Sequence, residues 1–111
     1  MADVSQILKG LLEGCVLSVV EREETYGYEI IRTLARGGFP EVGEASVYPI
    51  LLRLEQKGLL ESDRKVSPLG PMRKYYRLTE RGTATLGEFR GEWETTRNAV
   101  DGFVVKEVRH E

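Results

Sequence analysis

Residues that could support metal binding or nucleophilic catalysis are scarce in this 111-residue chain, which contains one cysteine and one histidine. A single cysteine forms no disulfide within the chain, and no cluster of cysteine and histidine is available to bind zinc. No histidine lies near a serine or a cysteine in a way that would build a hydrolytic triad. The sequence therefore predicts no metal site, no cofactor and no enzymatic activity.

The chain also lacks a long hydrophobic run. Its longest uncharged apolar segment extends from Cys15 to Val20 and is interrupted by Ser18, so it is far too short to cross a bilayer. Asp3 lies near the start, and no basic flank precedes an apolar stretch, so we predict no signal peptide. We therefore expect a cytoplasmic protein.

Positive charge is concentrated in one part of a chain whose net charge is −2. Residues 1–30 contain two basic and six acidic side chains, whereas residues 64–82 contain six basic side chains and one acidic side chain. Segregation of this kind creates a local positive field that the net charge hides. The basic segment is compatible with a solvated surface and with a nucleic-acid contact, and the surrounding elements distinguish the two.

Apolar residues at steps of three and four predict an amphipathic first helix over residues 4–21. In the second predicted helix Thr25 is the N-cap and Tyr28 lies in the core. Gly37 and Gly38 end this helix. The apolar stripe of the first helix consists of Val4, Ile7, Leu8, Leu11, Leu12, Cys15 and Val19, and that of the second of Tyr28, Ile31, Leu34 and Ala35.

A third helix is predicted to begin between Glu44 and Ser46 and to end at Gly58. With Ser46 as the N-cap, Pro49 falls in the first turn, where no intrahelical hydrogen bond is lost. The inner side of this helix carries Val47, Ile50, Leu51 and Leu54, and the outer side carries Ser46, Pro49, Arg53, Gln56 and Lys57.

Two strands joined by a loop rich in proline and glycine follow the third helix. We predict strands at Leu60–Val66 and Met72–Leu78, with residues 67–71 as the loop, and we call this hairpin the wing. Alternation in the second strand predicts that Tyr76 and Leu78 point inward and that Arg73, Tyr75 and Arg77 point outward.

A last helix follows the wing, with Thr79 as its N-cap and Glu80 in its first turn. Its apolar residues repeat at heptad spacing, which is typical of a helix that associates with a partner. The predicted dimerisation residues are Leu86, Phe89, Trp93, Val100 and Phe103.

The order of these elements predicts a winged helix-turn-helix, a mainly α fold with a small β-hairpin, followed by a dimerisation helix. Residues 1–79 are the predicted DNA-binding domain, and residues 80–111 are the dimerisation helix. The major groove admits one helix, and the cations of the wing can neutralise phosphates. The predicted base-edge contacts are Ser46, Pro49 and Arg53, the predicted phosphate contacts are Lys65, Arg73 and Lys74, and Tyr48 and Tyr75 are further DNA-binding candidates.

Three stretches of the sequence resemble the PadR family of bacterial transcriptional regulators: YGYEI at residues 26–30, ASVYPILLRLEQKGLL at residues 45–60 and RKYYRLTERG at residues 73–82. The resemblance implies a homodimeric protein, usually a repressor, that binds a palindromic DNA operator. It also implies that the last helix packs against the first helix of the partner. Some members carry a tryptophan of this helix in a ligand pore, so Trp93 is the candidate contact for an aromatic or cationic effector that releases DNA.

Several alternatives stay open. The alternative to a DNA-binding regulator is a protein-interaction module that uses the winged helix without DNA. The net negative charge of the chain favours this alternative. Trp93 is either dimer core or ligand platform, and Tyr48 either contacts a phosphate or packs beneath the third helix. Cys15 is a packed core thiol or a redox sensor. An enzyme built at the dimer seam has no acid, base or nucleophile to support it.

Overall fold

The computed structural model describes residues 6–68 and 70–105, and within them the chain forms four helices and three strands. This architecture confirms the predicted fold class and the bounds of both wing strands. The predicted helix start at residue 4, the outer ends of the two predicted units and Leu69 of the loop lie outside the described residues. The helices are α1 (Gln6–Arg22), α2 (Gly27–Arg36), α3 (Glu44–Gln56) and α4 (Glu80–Val104), and the strands are β1 (Thr25–Tyr26), β2 (Leu60–Val66) and β3 (Met72–Leu78).

One hydrophobic core joins the four helices to the sheet, and α1 packs against each of the other helices and against β3. Burial of a leucine or valine side chain stabilises a fold by about 1.5–3 kcal/mol, so this core holds the helices in a defined arrangement. Across residues 6–68 and 70–105, no helix is both long and apolar enough to cross a membrane. The fully buried side chains include Leu12, Val16, Leu17, Ile30, Val47, Leu51, Leu54, Leu60 and Leu86.

The sequence prediction for the start of α2 was wrong. Thr25 is not an N-cap, because it forms the short strand β1 with Tyr26 and pairs with β3 in a sheet of order β1-β3-β2. The helix begins at Gly27 without a side-chain cap. Its buried side includes Ile30 and not Tyr28, which is 53% exposed. Leu34 is buried as predicted and Ile31 is half-buried, so the predicted stripe is wrong at Tyr28 and not at these positions.

The N-cap of α3 differs from the prediction, although the helix begins at Glu44, within the predicted range. Gly43 is the N-cap and Glu44 is the first helical residue, so Ser46 lies inside the first turn and Pro49 lies beyond it. A proline there removes the hydrogen bond to the Ala45 carbonyl. Because Ala45 and Pro49 are both exposed, water can bond that carbonyl instead. The predicted inner side is confirmed, since Val47, Ile50, Leu51 and Leu54 are all buried.

Two tight junctions connect α3 to the wing and the wing to α4. The backbone N–H of Leu59 donates to the Leu54 carbonyl at 2.9 Å, and that of Gly58 donates to the Glu55 carbonyl at 3.0 Å. This pattern is a Schellman motif, which needs a left-handed residue, and Gly58 supplies it with a φ of 78°. Thr79 caps α4 as predicted, because its hydroxyl accepts from the Gly82 N–H at 3.0 Å. The same hydroxyl donates to the Gly58 carbonyl at 2.7 Å.

The two halves of α4 have different environments. Leu86, which the heptad assigned to the dimer seam, is 1% exposed within the chain and belongs to the chain's own core. Its side chain is therefore not available to a partner. Phe89 packs against Gly14 of α1 and is half-buried. Beyond it, residues 91–104 are exposed along their whole length.

Candidate nucleic-acid interface

The side of α3 that points away from the core carries most of the side chains predicted to read bases. Pro49 and Arg53 are exposed, and Ser46 is half-buried. Leu52 is also exposed on this side, although the sequence analysis did not select it. An apolar side chain there can contact a thymine methyl group in the major groove. The signal that could have identified it is that Leu52 lies off the apolar stripe of Val47, Ile50, Leu51 and Leu54.

Tyr48 combines the two roles that the sequence left as alternatives. Its ring packs so closely against Gly27 of α2 that a Cβ at Gly27 would overlap the ring. The side chain is nevertheless 42% exposed. The aromatic ring therefore packs at the contact between α2 and α3 while part of the side chain remains open to solvent.

The predicted base-contact residue Arg53 is held by a carboxylate of α1. Its Nε donates to Oε2 of Glu13 at 2.8 Å, and Nζ of Lys57 lies 3.6 Å from the other oxygen, Oε1. Glu13 therefore bridges Arg53 of α3 and Lys57, the C-cap residue of the same helix.

A second carboxylate joins α3 to the wing. The Ser62 hydroxyl donates to Oε2 of Glu55 at 2.6 Å, and Nζ of Lys74 lies 3.0 Å from Oε1. Lys74 also lies above the ring of Tyr76, with its Nζ 5.5 Å from the centroid. These contacts mean that the face of the wing carrying Lys74 is directed toward α3.

Protonation of Glu55 should loosen this contact between α3 and the wing. The Ser62 hydrogen bond, and then Lys74, lower the pKa of Glu55 below its ordinary value of 4.5, while Glu55 raises the pKa of Lys74. A lowered acid pKa contributes stability that is present above the unfolded-state pKa and is lost as pH falls through the folded-state pKa. The raised lysine pKa contributes stability up to alkaline pH, where it is lost as pH rises through the folded-state value.

We therefore expect Glu55→Gln to lower the free energy of unfolding by about 1 kcal/mol at pH 7. The difference from the wild type should shrink as pH falls below about 4.5, the ordinary value for this carboxyl. Urea denaturation at pH 7, 5 and 3 measures it. Glu88→Gln is the control, because Glu88 is exposed on α4 and should have little effect at any of these pH values. An equal loss in Glu55→Gln at all three pH values would contradict the role of the Glu55 charge.

The other face of the wing is a cluster of aromatic and basic side chains. The rings of Tyr26 and Tyr75 meet edge to face, with centroids 5.3 Å apart. The guanidinium of Arg73 lies 4.3 Å from the Tyr26 centroid, and Nζ of Lys65 lies 5.6 Å from the Tyr75 centroid. Contacts between cations and aromatic faces are favourable and restrict the side chains. Tyr75 therefore packs within the sheet surface, and Arg73 extends across Tyr26.

Most of the remaining basic side chains of the wing are paired with carboxylates. Nζ of Lys65 lies 2.7 Å from Glu24, and Arg77 contacts Glu61 at 2.6 Å and Asp63 at 2.7 Å. These pairs are exposed, so each contributes little to stability and exchanges easily for another anion. They also reduce the positive field that the sequence predicted for this segment.

Two arginines of the wing keep an uncompensated charge. Within the described residues, neither Arg64 nor Arg73 has a carboxylate partner. Arg64 pairs with Lys74 across the strands, so its side chain is on the face of the wing that is directed toward α3. In the sequence Arg64 is one of six basic residues of this segment, and nothing local distinguishes it, because the pairing of its neighbours with carboxylates is a tertiary feature.

An apolar groove of about 640 Å³ lies between α1, the end of α2 and α4, and Trp93 forms part of its wall. Trp93 is 39% exposed. Cys15 also lines this groove, and burial raises the pKa of its thiol, so the thiol is protonated at neutral pH. The other apolar residues of the wall are Ile7, Leu8, Leu11, Val19, Leu34, Phe39, Leu86 and Phe89.

The chain matches a known family over most of its length. The profile of the transcriptional regulator PadR-like family matches residues 16–88. A transcriptional regulator of Mycobacterium tuberculosis is 38% identical over 79 residues, which cover 71% of this chain and 72% of that protein.

Solved structures of similar proteins have the same fold. The crystal structure of a PadR-like transcriptional regulator from Bacillus cereus is 45% identical, with a TM-score of 0.83, and the match covers 93% of this chain and 100% of that one. A Streptococcus transcriptional regulator is 38% identical, with a TM-score of 0.81, and covers 89% of this chain and 97% of its own. PadR-like proteins are DNA-binding regulators and not enzymes. The chain belongs to the PadR-like family of transcriptional regulators.

Proposed function

We propose that this regulator is a homodimeric repressor that binds a palindromic DNA operator and is released from it by an aromatic or cationic small molecule. The observation that carries the DNA-binding part is the position of two unpaired cations, Arg64 and Arg73, on a wing that is joined to α3. This arrangement presents positive charge beside the exposed side of α3, and the major groove is wide enough to admit one α-helix.

In this proposal α3 enters the major groove, and Ser46, Pro49 and Arg53 contact base edges. Leu52 adds an apolar contact. The wing follows the phosphate backbone, with Arg64 and Arg73 as its first contacts. Lys65, Lys74 and Tyr75 join them. The exposed ion pair of Lys65 can exchange its carboxylate for a phosphate at low cost. Tyr48 contacts DNA with the exposed part of its side chain.

The exposed half of α4 supports the proposal of a dimer. Residues 91–104 extend for about 21 Å without burying a side chain, although they include Trp93, Val100 and Phe103. Glycines at 87, 91 and 102 weaken an isolated helix by about 1 kcal/mol each, so this helix benefits from a partner. We assign residues 1–79 to DNA binding and residues 80–111 to dimerisation, with Phe89, Trp93, Val100 and Phe103 in the seam.

The groove beside Trp93 supports the proposal of an effector. Its wall is mostly apolar, and the face of an indole ring binds aromatic and cationic groups favourably. A ligand held there between two subunits changes the distance between the two copies of α3. Because the half-sites of an operator lie about 34–36 Å apart or at multiples of this distance, a small rotation is sufficient to lower affinity.

Fluorescence anisotropy with two labelled duplexes tests DNA binding. One duplex is enriched from a random library by the wild-type protein, and the other has the same base composition in scrambled order. We expect a Kd on the order of 10⁻⁸ to 10⁻¹⁰ M for the selected duplex and a steep loss of affinity with rising salt concentration. Equal, weak binding to both duplexes, or no dependence on salt, would overturn the proposal and favour a protein-interaction module.

The same titration tests the dimer and the effector. At saturation we expect two chains per duplex. Adding proflavine, a planar aromatic cation, is expected to lower the anisotropy of the wild-type complex and to have less effect on a Trp93→Ala complex. Because proflavine also binds DNA, its effect on the free duplex is measured in parallel. One chain per duplex would contradict the dimer, and an equal response of both proteins would exclude Trp93 as a contact for this ligand class.

A further inference from the structure

Glu13 occupies an unusual position for an acidic residue in a DNA-binding protein, because it faces the side chains of the proposed recognition helix α3. Its carboxylate lies 2.8 Å from Nε of Arg53 and 3.6 Å from Nζ of Lys57. The Glu13 side chain is 30% exposed, whereas the Arg53 side chain is 48% exposed. The neighbours of Glu13 on α1, Leu12 and Val16, are buried, so the backbone that carries this carboxylate is held firmly by the core.

The Glu13 carboxylate offsets the charge repulsion between two cations at the end of α3. Arg53 lies in the last turn of α3 and Lys57 is the C-cap four positions later, a spacing at which like charges repel. Glu13 lies between them and contacts each cation with a different oxygen. The hydrogen bond from Nε therefore favours one orientation of the Arg53 side chain before DNA arrives, which lowers the entropy that its ordering costs on binding.

The contact with Glu13 leaves the two terminal guanidinium nitrogens of Arg53 free. Glu13 accepts from Nε, which is on the side of the guanidinium group. Within the described residues Arg53 makes no other hydrogen bond, so both terminal nitrogens are available. These nitrogens form the fork that binds O6 and N7 of guanine, the most common specific contact in the major groove.

We propose that Glu13 is a positioning residue for base recognition by Arg53, an inference that rests on the proposed DNA-binding function. Glu13 has two opposite effects on DNA. Its charge repels phosphates and lowers affinity for every duplex, whereas its hydrogen bond orients Arg53 and raises affinity only for the duplex with the correct base. Discrimination between duplexes, rather than affinity itself, is therefore the property that Glu13 controls.

Two substitutions separate these effects. Glu13→Gln keeps a side-chain oxygen that can accept from Nε of Arg53 but removes the charge, and Glu13→Ala removes both. We expect both variants to bind the scrambled duplex more tightly than the wild type does. The ratio of affinities for the selected and scrambled duplexes should fall about 3- to 10-fold in Glu13→Ala, and Glu13→Gln should retain most of it. If both variants keep the wild-type ratio, or lose it equally, the positioning role is overturned.

A double-variant comparison excludes a merely structural role. In an Arg53→Ala background, Glu13→Ala should no longer change the affinity ratio, because the side chain that it positions is absent. A further loss of the ratio in that background would overturn the proposal. Thermal unfolding of each variant shows that the fold is retained.

Glu24→Ala is the matched control. Glu24 holds Lys65, a proposed phosphate contact, at 2.7 Å, so its removal should tighten binding to both duplexes by a similar factor and leave the ratio unchanged. If the wild-type protein itself does not distinguish the two duplexes, the proposed function fails, and that result is separate from a failure of Glu13.

Discussion

Replacing Gly82 by alanine should lower the free energy of unfolding by about 3 kcal/mol, the upper end of the usual cost of overpacking. A Cβ at this position would overlap the backbone carbonyl oxygen of Leu59 and would lie 3.0 Å from Cδ2 of Leu78. The Leu59 carbonyl cannot easily move aside, because it accepts a hydrogen bond from the Thr79 N–H at 3.1 Å. The first turn of α4 would therefore have to shift away from the wing.

Urea denaturation monitored by circular dichroism measures this loss, and Gly87→Ala is the matched control on the same helix. In the part of the chain that the structure describes, no heavy atom of a neighbour lies within 4 Å of a Cβ at Gly87. Alanine there should therefore raise the free energy of unfolding by about 0.5–1 kcal/mol through helix propensity. The two substitutions add the same methyl group to one helix and should have opposite signs. A stabilising Gly82→Ala would show that the contact between α4 and Leu59 is not close in solution.

Gly82 also illustrates which parts of the fold the sequence could predict. Thr79 and Glu80 are sufficient to identify the start of α4, because an N-cap is a pattern of a few adjacent residues. The same is true of the wing strands and of the buried side of α3, whose apolar spacing is regular over about two turns. That Gly82 must be a glycine depends on Leu59, which is distant along the chain.

The wrong predictions have the same physical origin. The signal at Thr25 fits a helix cap locally, but pairing with Tyr76 of β3 determines its conformation. Leu86 fits a heptad seam, but contact with α1 and the core buries it within the chain. In both cases a local pattern permitted two structures and a tertiary contact selected one.

The position of the candidate DNA surface could be predicted from the sequence, but the pairing of its cations with carboxylates could not. Counting basic residues in sequence identifies the wing, and helical spacing identifies the flank of α3 that carries Arg53. The partner of Arg53, however, is Glu13, 40 positions away, and the partner of Lys65 is Glu24, 41 positions away. The sequence therefore offered no distinction between Lys65, Lys74 and Arg73. In the structure both lysines pair with carboxylates, whereas Arg64 and Arg73 have no such partner among the described residues.

Removing both unpaired arginines of the wing should cause the largest loss of DNA affinity. In the double variant Arg64→Gln and Arg73→Gln, each bound chain loses two phosphate contacts, and the slope of log K against log salt concentration should become shallower by about two per chain. At 0.15 M salt this corresponds to a loss of affinity of roughly 30-fold per chain. Because phosphate contacts carry no base information, the loss should be similar for the selected and the scrambled duplex. Anisotropy titrations at several salt concentrations measure both quantities.

The double variant Lys9→Gln and Arg97→Gln is the control for net charge. It removes the same charge from exposed positions on α1 and α4, outside the candidate interface, so the salt slope should change little. A second control is Arg77→Gln, whose guanidinium group is already occupied by Glu61 and Asp63 and should release few counterions when DNA binds. If the wing variant and the Lys9 and Arg97 variant weaken binding equally, the effect comes from net charge and the wing is not a phosphate contact. If only the wing variant changes the slope, the unpaired arginines account for the electrostatic part of binding. Their localised charge then explains how a chain with net negative charge binds DNA through one surface.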